Sequence, residues 1–292
     1  RFKELVKDAD IIHYHYPYPY ADLLHFLTQV KKPTIISYHS DIVRQKNLYK
    51  LYKPLKKYFL NRVNCIVAGS PQYLSTSRTL AEYKHKTIVI PFGLDKKNYP
   101  VPSAEKLNYW RSRFGERFFL NIGVLRYYKG INILIEAARN TNYPIVIAGA
   151  GMIEKELKEH VKKLDIKNIF FIGRQSHEDK VALLKLCYAI IFPSHLRSEA
   201  FGITLLEGAM YGKPLISCEI GTGTSFVNID GETGKVVIPN DYTALQEAMD
   251  YLWNNKDTAR EMGRRAEKRY WDIFTADKMA KSYADLYQSI LD

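Results

Sequence analysis

A chain of 292 residues with 46% apolar and 13% aromatic content is long enough for one large or two ordinary domains with real cores, which excludes a disordered chain. The net charge of +12 is uneven: residues 1–110 hold 18 lysines and arginines against 8 acids, and the remainder holds 25 against 23. The longest uncharged apolar run, residues 186–196, is far short of the roughly twenty residues of a membrane helix, and Cys65, Cys187 and Cys218 are too scattered for a disulfide framework and read as reduced core residues of a cytoplasmic protein.

In chain order, a short helical pattern FKELVKD precedes four continuous apolar runs at 9–13, 34–39, 64–70 and 87–93. The basic stretch 44–62 between them mixes cations with tyrosines and leucines, as in helices that lie on anionic membranes, although Pro54 is expected to interrupt it. A solvated basic face explains the same charges. Turn-prone residues near 94–106 mark a domain boundary. A second series of runs follows at 118–123, 144–149, 168–173, 188–194, 214–219 and 235–238, with helical patterns between them. From residue 257 the pattern is helical to the end, with Tyr270, Trp271, Phe274, Tyr283 and Tyr287 as its aromatics. Alternating strands and helices predict two α/β, doubly wound parallel domains, 1–97 and 98–270, with a last helix at 271–292 returning to the first. The first domain looks short, and N-terminal elements are expected to be missing.

Strand ends in open parallel sheets direct their following loops at ligands, and helix N-termini there attract anions. In NIGVLRYYKG, Arg126 and Lys129 lie between a strand and a helix, where two cations suit a diphosphate. IAGAGM, at 147–152, lacks the third glycine of a dinucleotide fingerprint and reads as a tight turn. In FPSHLRSEAFGITLLE, Ser198 or Glu199 is expected to cap the following helix, leaving the amides of Ala200, Phe201 and Gly202 for an anionic or hydroxylated ligand. Glu207 lies deeper. Its neighbours at helical spacing are Ile203, Thr204, Met210 and Tyr211, so its carboxylate sits on an inward-facing stripe and requires a partner. His13 and His15 share one face of a strand, but no third ligand is near, so no metal site is expected.

Glu199 and Glu207, separated by seven residues and followed by GKPLIS and GETGKVV, resemble the E-x7-E region of the retaining glycosyltransferases of family 4. The similarity extends through GVLRYYKG, VIAGAG, FFIGRQSHEDK and IFPSHLRSEAFG, and back to IIHYHYPYP, SYHSD, VAGSPQY and IPFGLD. It implies the GT-B architecture, two Rossmann-like domains facing across a cleft, here with an incomplete N-terminal domain. By position, it implies that Glu207 holds the ribose of a nucleotide sugar and that Glu199 binds the transferred sugar. The backbone at Phe201 and Gly202 would position sugar or phosphate, and Gly123, Arg126 and Lys129 would face the diphosphate. Many relatives carry the arginine directly after this glycine; here Val124 stands there, so Lys129 transfers more securely than Arg126. His39 matches the family's active-site histidine, with a polar strand end as the competing reading. His15 and Tyr16 are placed on the acceptor side. Gly221, Gly223 and Thr224 either touch the donor or form a plain glycine-rich turn.

The resemblance is strongest to mannosyl- and rhamnosyl-transferring members that build bacterial O-antigen and similar polysaccharides. It implies a nucleotide-sugar donor, GDP-mannose ahead of UDP- and dTDP-sugars, and a glycan or lipid-linked glycan acceptor. It further implies no metal, and a site of action in the cytoplasm at the inner face of the cell membrane. An N-terminally shortened chain is expected to turn over weakly. A GT-B nucleotide-sugar epimerase and a basic nucleic-acid binder are the alternatives, the latter without any recognisable nucleic-acid module.

Overall fold

Among the described residues the apolar runs become ten strands, and every pairing between them is parallel. The first four are β1 (Ile12–Tyr16), β2 (Thr34–Tyr38), β3 (Cys65–Ala68) and β4 (Thr87–Val89), which form one sheet in sequence order. The second sheet contains β5 (Phe119–Ile122), β6 (Ile145–Ala148), β7 (Ile169–Gly173), β8 (Ala189–Phe192), β9 (Leu215–Cys218) and β10 (Gly234–Val237). Its order is β10-β9-β8-β5-β6-β7. The computed structural model covers residues 1–29, 31–42 and 46–292, with residues 46 and 47 described by their backbone alone.

Helices cover both faces of a parallel sheet, so its central strands are apolar throughout. Accordingly β2, β3, β6, β8 and β9 are buried at every position, whereas the edge strands β4, β7 and β10 are not. β1 starts three residues later than the 9–13 run implies, because Tyr14 and Tyr16 supply its buried alternate face. The helix Lys46–Arg62 runs through Pro54 without ending there. Arg44 and Gln45, at the head of the basic stretch, lie outside the described residues.

The second sheet reverses its winding between β5 and β8. Loops leaving the carboxyl ends of these two neighbours diverge and open a crevice, which is where ligands bind in such sheets. The β5 loop carries Gly123 to Lys129, and the β8 loop carries Ser194 to Gly202.

The chain crosses between the two sheets twice, and the crossings lie side by side. The Leu94 amide donates to the Phe274 carbonyl at 2.9 Å, the Ala276 amide donates to the Leu94 carbonyl at 3.0 Å, and the Tyr270 hydroxyl donates to that carbonyl at 2.9 Å. Past the second crossing, the helix Ala276–Leu291 packs Met279, Tyr283, Leu286 and Tyr287 against Ile35, Val67 and Ile90 of the first domain. A Cβ on Gly93 would stand 2.4 Å from the Thr275 carbonyl oxygen, and backbone at a crossing cannot yield cheaply. Gly93→Ala should therefore lower the thermal midpoint by several degrees and speed proteolytic cutting near residue 95. Unchanged melting and cutting would show that the crossings are not tightly joined.

Candidate active site

Glu207 occupies the second turn of the helix Ile203–Met210 and is 5% exposed. Its Oε1 accepts from the Lys180 ammonium at 2.6 Å and from the Tyr99 hydroxyl at 2.8 Å. Burial, and then the adjacent Glu207 charge, raise the Tyr99 hydroxyl far above its ordinary range, so it stays protonated and donates. Lys180 also lines a cavity of about 520 Å³ with Gly123, Gly149, Ala150, Arg174 and Gln175. The carboxylate thus has protein partners, one of which, Lys180, also lines an opening.

Glu199 does not cap the helix. Gly202, at φ +91°, takes the N-cap position without a side-chain cap, a conformation that suits glycine. The Glu199 carboxylate instead accepts from Lys129 Nζ at 2.5 Å and from the Ser194 hydroxyl at 3.3 Å, all on one oxygen. Lys129 Nζ lies 3.8 Å from where a Cβ on Gly123 would stand, so the lysine passes over the glycine that also lines the Lys180 cavity. Two acid–lysine pairs therefore flank the end of β5. Arg126 is on the same loop but lines a different space, a cleft cavity of about 600 Å³ shared with Ser40, Asp41, Tyr128 and Ser198.

Several expected contacts prove to be internal. The Phe201 ring is buried against Phe92 at 4.9 Å and against Phe274 at 6.1 Å, which leaves only its backbone for a ligand. Among the described residues the Phe201 and Gly202 amides donate to no acceptor. Gly221 has its backbone engaged within the protein: its amide donates to Glu219, and its carbonyl accepts from Arg197 and from Thr76. The Gly223 amide donates to the Ala200 carbonyl, and the fully buried Thr224 donates its hydroxyl to the Cys218 carbonyl. This loop braces the segment that carries Glu199.

Arg197 ties the β8 loop to the first domain and was not anticipated from sequence. Its guanidinium donates to Thr76 Oγ1 at 2.8 Å and to the Gly221 carbonyl at 2.7 Å, meets Asp41 at 3.2 Å, and lies over the Tyr73 ring. Asp41 also accepts from the Tyr38 and Ser77 hydroxyls at 2.8 Å each. Arg197 stands two residues before Glu199, which is the one local hint of its place. Tyr99 and Lys180 gave no hint.

On the first-domain side, His13, His15, His39 and Phe92 form a file of stacked rings with successive centroids 5.1, 5.1 and 5.6 Å apart. His39 Nε2 is 2.8 Å from His15 Nδ1, and His15 is exposed. Tyr16 is not in the cleft. It is 1% exposed and stacks on Tyr38 in the core, because adjacent strand residues face opposite sides of the sheet. Rings stacked in a file do not converge on a point, and no three potential ligand side chains cluster among the described residues.

His13 uses both ring nitrogens, with Tyr287 at 2.7 Å and Ser37 at 2.8 Å. Burial, and then the neighbouring His15 and His39, lower its pKa to about 4. In the unfolded chain it titrates near 6.5. Between these values the unfolded state binds more protons, so stability falls as pH drops from about 6.5 towards 4. An NMR titration should find this ring neutral at pH 5, and His13→Gln should flatten the acid loss of stability. A His13 ring that titrates near 6.5 would refute the assignment.

Residues 105–269 match the profile of the glycosyl transferases group 1, and residues 1–98 match that of glycosyltransferase family 4. The chain is 56% identical over 276 residues to D-rhamnosyltransferase WbpZ of Pseudomonas aeruginosa, covering 94% of this chain and 72% of that protein. It is 49% identical over 292 residues to the O-antigen chain mannosyltransferase C of Escherichia coli, covering 100% of this chain and 78% of that protein. In fold it is similar to the crystal structure of Anabaena HepE in complex with UDP, with a TM-score of 0.84 at 18% identity, covering 99% of this chain and 81% of that one. Sucrose-phosphate synthase of Thermosynechococcus elongatus gives the same TM-score at 21% identity, covering 99% and 76%. These findings give the epimerase alternative no support. With its two parallel, Rossmann-like sheets, the chain belongs to the group 1, family 4 glycosyltransferases and has the GT-B fold.

Proposed function

We propose that this glycosyltransferase moves mannose, or a closely related 6-deoxy sugar, from a GDP-sugar to a glycan acceptor with retention of configuration, in the assembly of O-antigen or a similar polysaccharide. The observation that carries this reading is the pair of acid–lysine contacts flanking Gly123, which combines hydroxyl acceptors and cations at one strand end. The 49% and 56% identities to a mannosyltransferase and a D-rhamnosyltransferase support the choice of sugar.

In this reading Glu207 receives the ribose hydroxyls and Glu199 the hydroxyls of the transferred sugar. An arriving diphosphate competes with Glu199 for Lys129. That releases the carboxylate towards the sugar while the ammonium neutralises charge on the leaving group. The Phe201 and Gly202 amides, beside Glu199, offer further donors. Arg126 faces the cleft, where acceptor and leaving group meet, and His39 faces it from the first domain. The leaving diphosphate takes the acceptor proton on the same face. Because lysine and arginine supply the countercharge, this reaction needs no metal.

The acceptor is proposed to be lipid-linked and presented at the inner face of the cell membrane. No helix among the described residues is long and apolar enough to cross a bilayer. The neighbouring helices Pro19–Thr28 and Lys46–Arg62 do expose Tyr18, Tyr20, Leu27, Leu48 and Leu51, in a region rich in lysine. Apolar tips among cations suit an anionic bilayer surface.

Calorimetry against GDP, UDP and dTDP should show GDP binding most tightly, and the product should keep the donor's anomeric configuration. Lys129→Met should lower kcat by about 10²–10³-fold, and excess EDTA should leave turnover unchanged. Equal binding of all three nucleotides, an inverted product or loss of activity in EDTA would each overturn the corresponding part. In sedimentation, vesicles rich in anionic lipid should carry down more of the chain than neutral ones; equal partition would remove the membrane contact.

A further inference from the structure

A carboxylate has two oxygens with about four acceptor positions between them. At Glu207, both hydrogen bonds from the protein fall on Oε1, one from Lys180 and one from Tyr99. Oε2 takes none among the described residues, although the side chain is only 7% exposed. Glu207 Oε2 does not belong to the fully buried polar atoms that lack a partner, so it keeps access to solvent and is open to donors from outside the protein. Two vacant acceptor positions match the two donors of a vicinal diol.

The helix that carries Glu207 is itself fixed. One turn earlier, the Thr204 hydroxyl donates to the Ile122 carbonyl at 3.2 Å, directly before Gly123. A Cβ on the next residue, Gly208, would come within 2.5 Å of Ile190, so the helix lies close against β8. The remaining freedom is rotation of the Glu207 side chain, and two donors on one oxygen remove it. Lys180 is also held, its ammonium 5.2 Å from the Tyr99 ring centroid, so the three side chains form one triangle.

We propose that Lys180 and Tyr99 are positioning residues that lock Glu207 through Oε1 so that Oε2 presents both of its acceptor positions to the ribose 2′- and 3′-hydroxyls of the donor. This rests on the ribose reading of Glu207 given above. It adds that discrimination for the ribose depends on two residues assigned no part in binding. Lys180 also neutralises the buried carboxylate, so the binding site carries no uncompensated charge before the donor arrives.

The test measures the affinities of GDP and UDP, each against its 2′,3′-dideoxy counterpart, for the unaltered chain and for Lys180→Met, Lys180→Arg and Tyr99→Phe. The unaltered chain should favour the ribose form by about tenfold or more, as hydrogen bonds to a charged acceptor allow. Lys180→Met and Tyr99→Phe should each reduce this ratio to about threefold or less, and Lys180→Arg should restore most of it. On a Glu207→Ala background, Lys180→Met should not change the ratio further. Tyr99→Phe removes a single hydroxyl, so it remains readable if Lys180→Met does not fold. If the unaltered chain does not distinguish ribose from dideoxyribose with either base, the ribose reading falls and the inference with it. If it does distinguish them while Lys180→Met or Tyr99→Phe keeps the full ratio, or if the Lys180 effect persists without Glu207, only the positioning role falls.

Discussion

Removing a carboxylate from water is among the most unfavourable things a fold can do, and at Glu207 the second domain is arranged around that cost. The residue sits on a helix pressed against β8, where an acid is tolerable only with donors of its own. Lys180 supplies charge and Tyr99 supplies a neutral donor, each to the same oxygen. Neither partner belongs to the Glu207 helix, so this one contact joins three parts of the chain. Tyr99 lies just beyond the first crossing, which places the Glu207 cluster within five residues of the joint between the domains.

The same joining of candidate site to domain interface recurs at Glu199. Its loop is held from behind by Gly223 on Ala200 and from across the cleft by Arg197 on Asp41 and Thr76. A charged network of this kind contributes more than an isolated surface pair, because each group is fixed by several others. The result is that the Glu199 carboxylate cannot shift far without disturbing contacts between the two sheets. The C-terminal helix acts in parallel, since Tyr283 and Tyr287 reach Ser37 and His13 beneath the file of histidines that ends at His39. Both sides of the cleft are thus tied to segments from the opposite end of the chain.

Much of this was legible in advance where the determinant was local. Continuous apolar runs located every strand to within a few residues, because a strand buried on both faces needs apolar side chains on both. The spacing of Glu199, Glu207, Arg126 and Lys129 placed these groups on loops and a helix at strand ends. Less local expectations changed. Ser198 and Glu199 looked like helix caps, but a left-handed glycine ends that turn and frees the acid for a lysine seventy residues away. Tyr16 looked like a cleft residue beside His15, but strand alternation turns it inward. Gly221, Gly223 and Thr224 read equally as donor contacts or as a plain glycine-rich turn, and in the structure they brace the segment that carries Glu199.

The sequence by itself therefore determined the two parallel sheets and the positions of the acids and cations, since these follow from periodicity and spacing along a few turns of chain, while the family was legible through the resemblance of its ordered motifs. Only the tertiary structure decided what each charged group meets. Tyr99 and Glu207 are 108 residues apart, and Arg197 and Asp41 are 156 apart. Pairings over such separations depend on how strands are ordered and how domains face one another. The energy of a buried charge is set by those distant neighbours and not by the residues beside it in the chain.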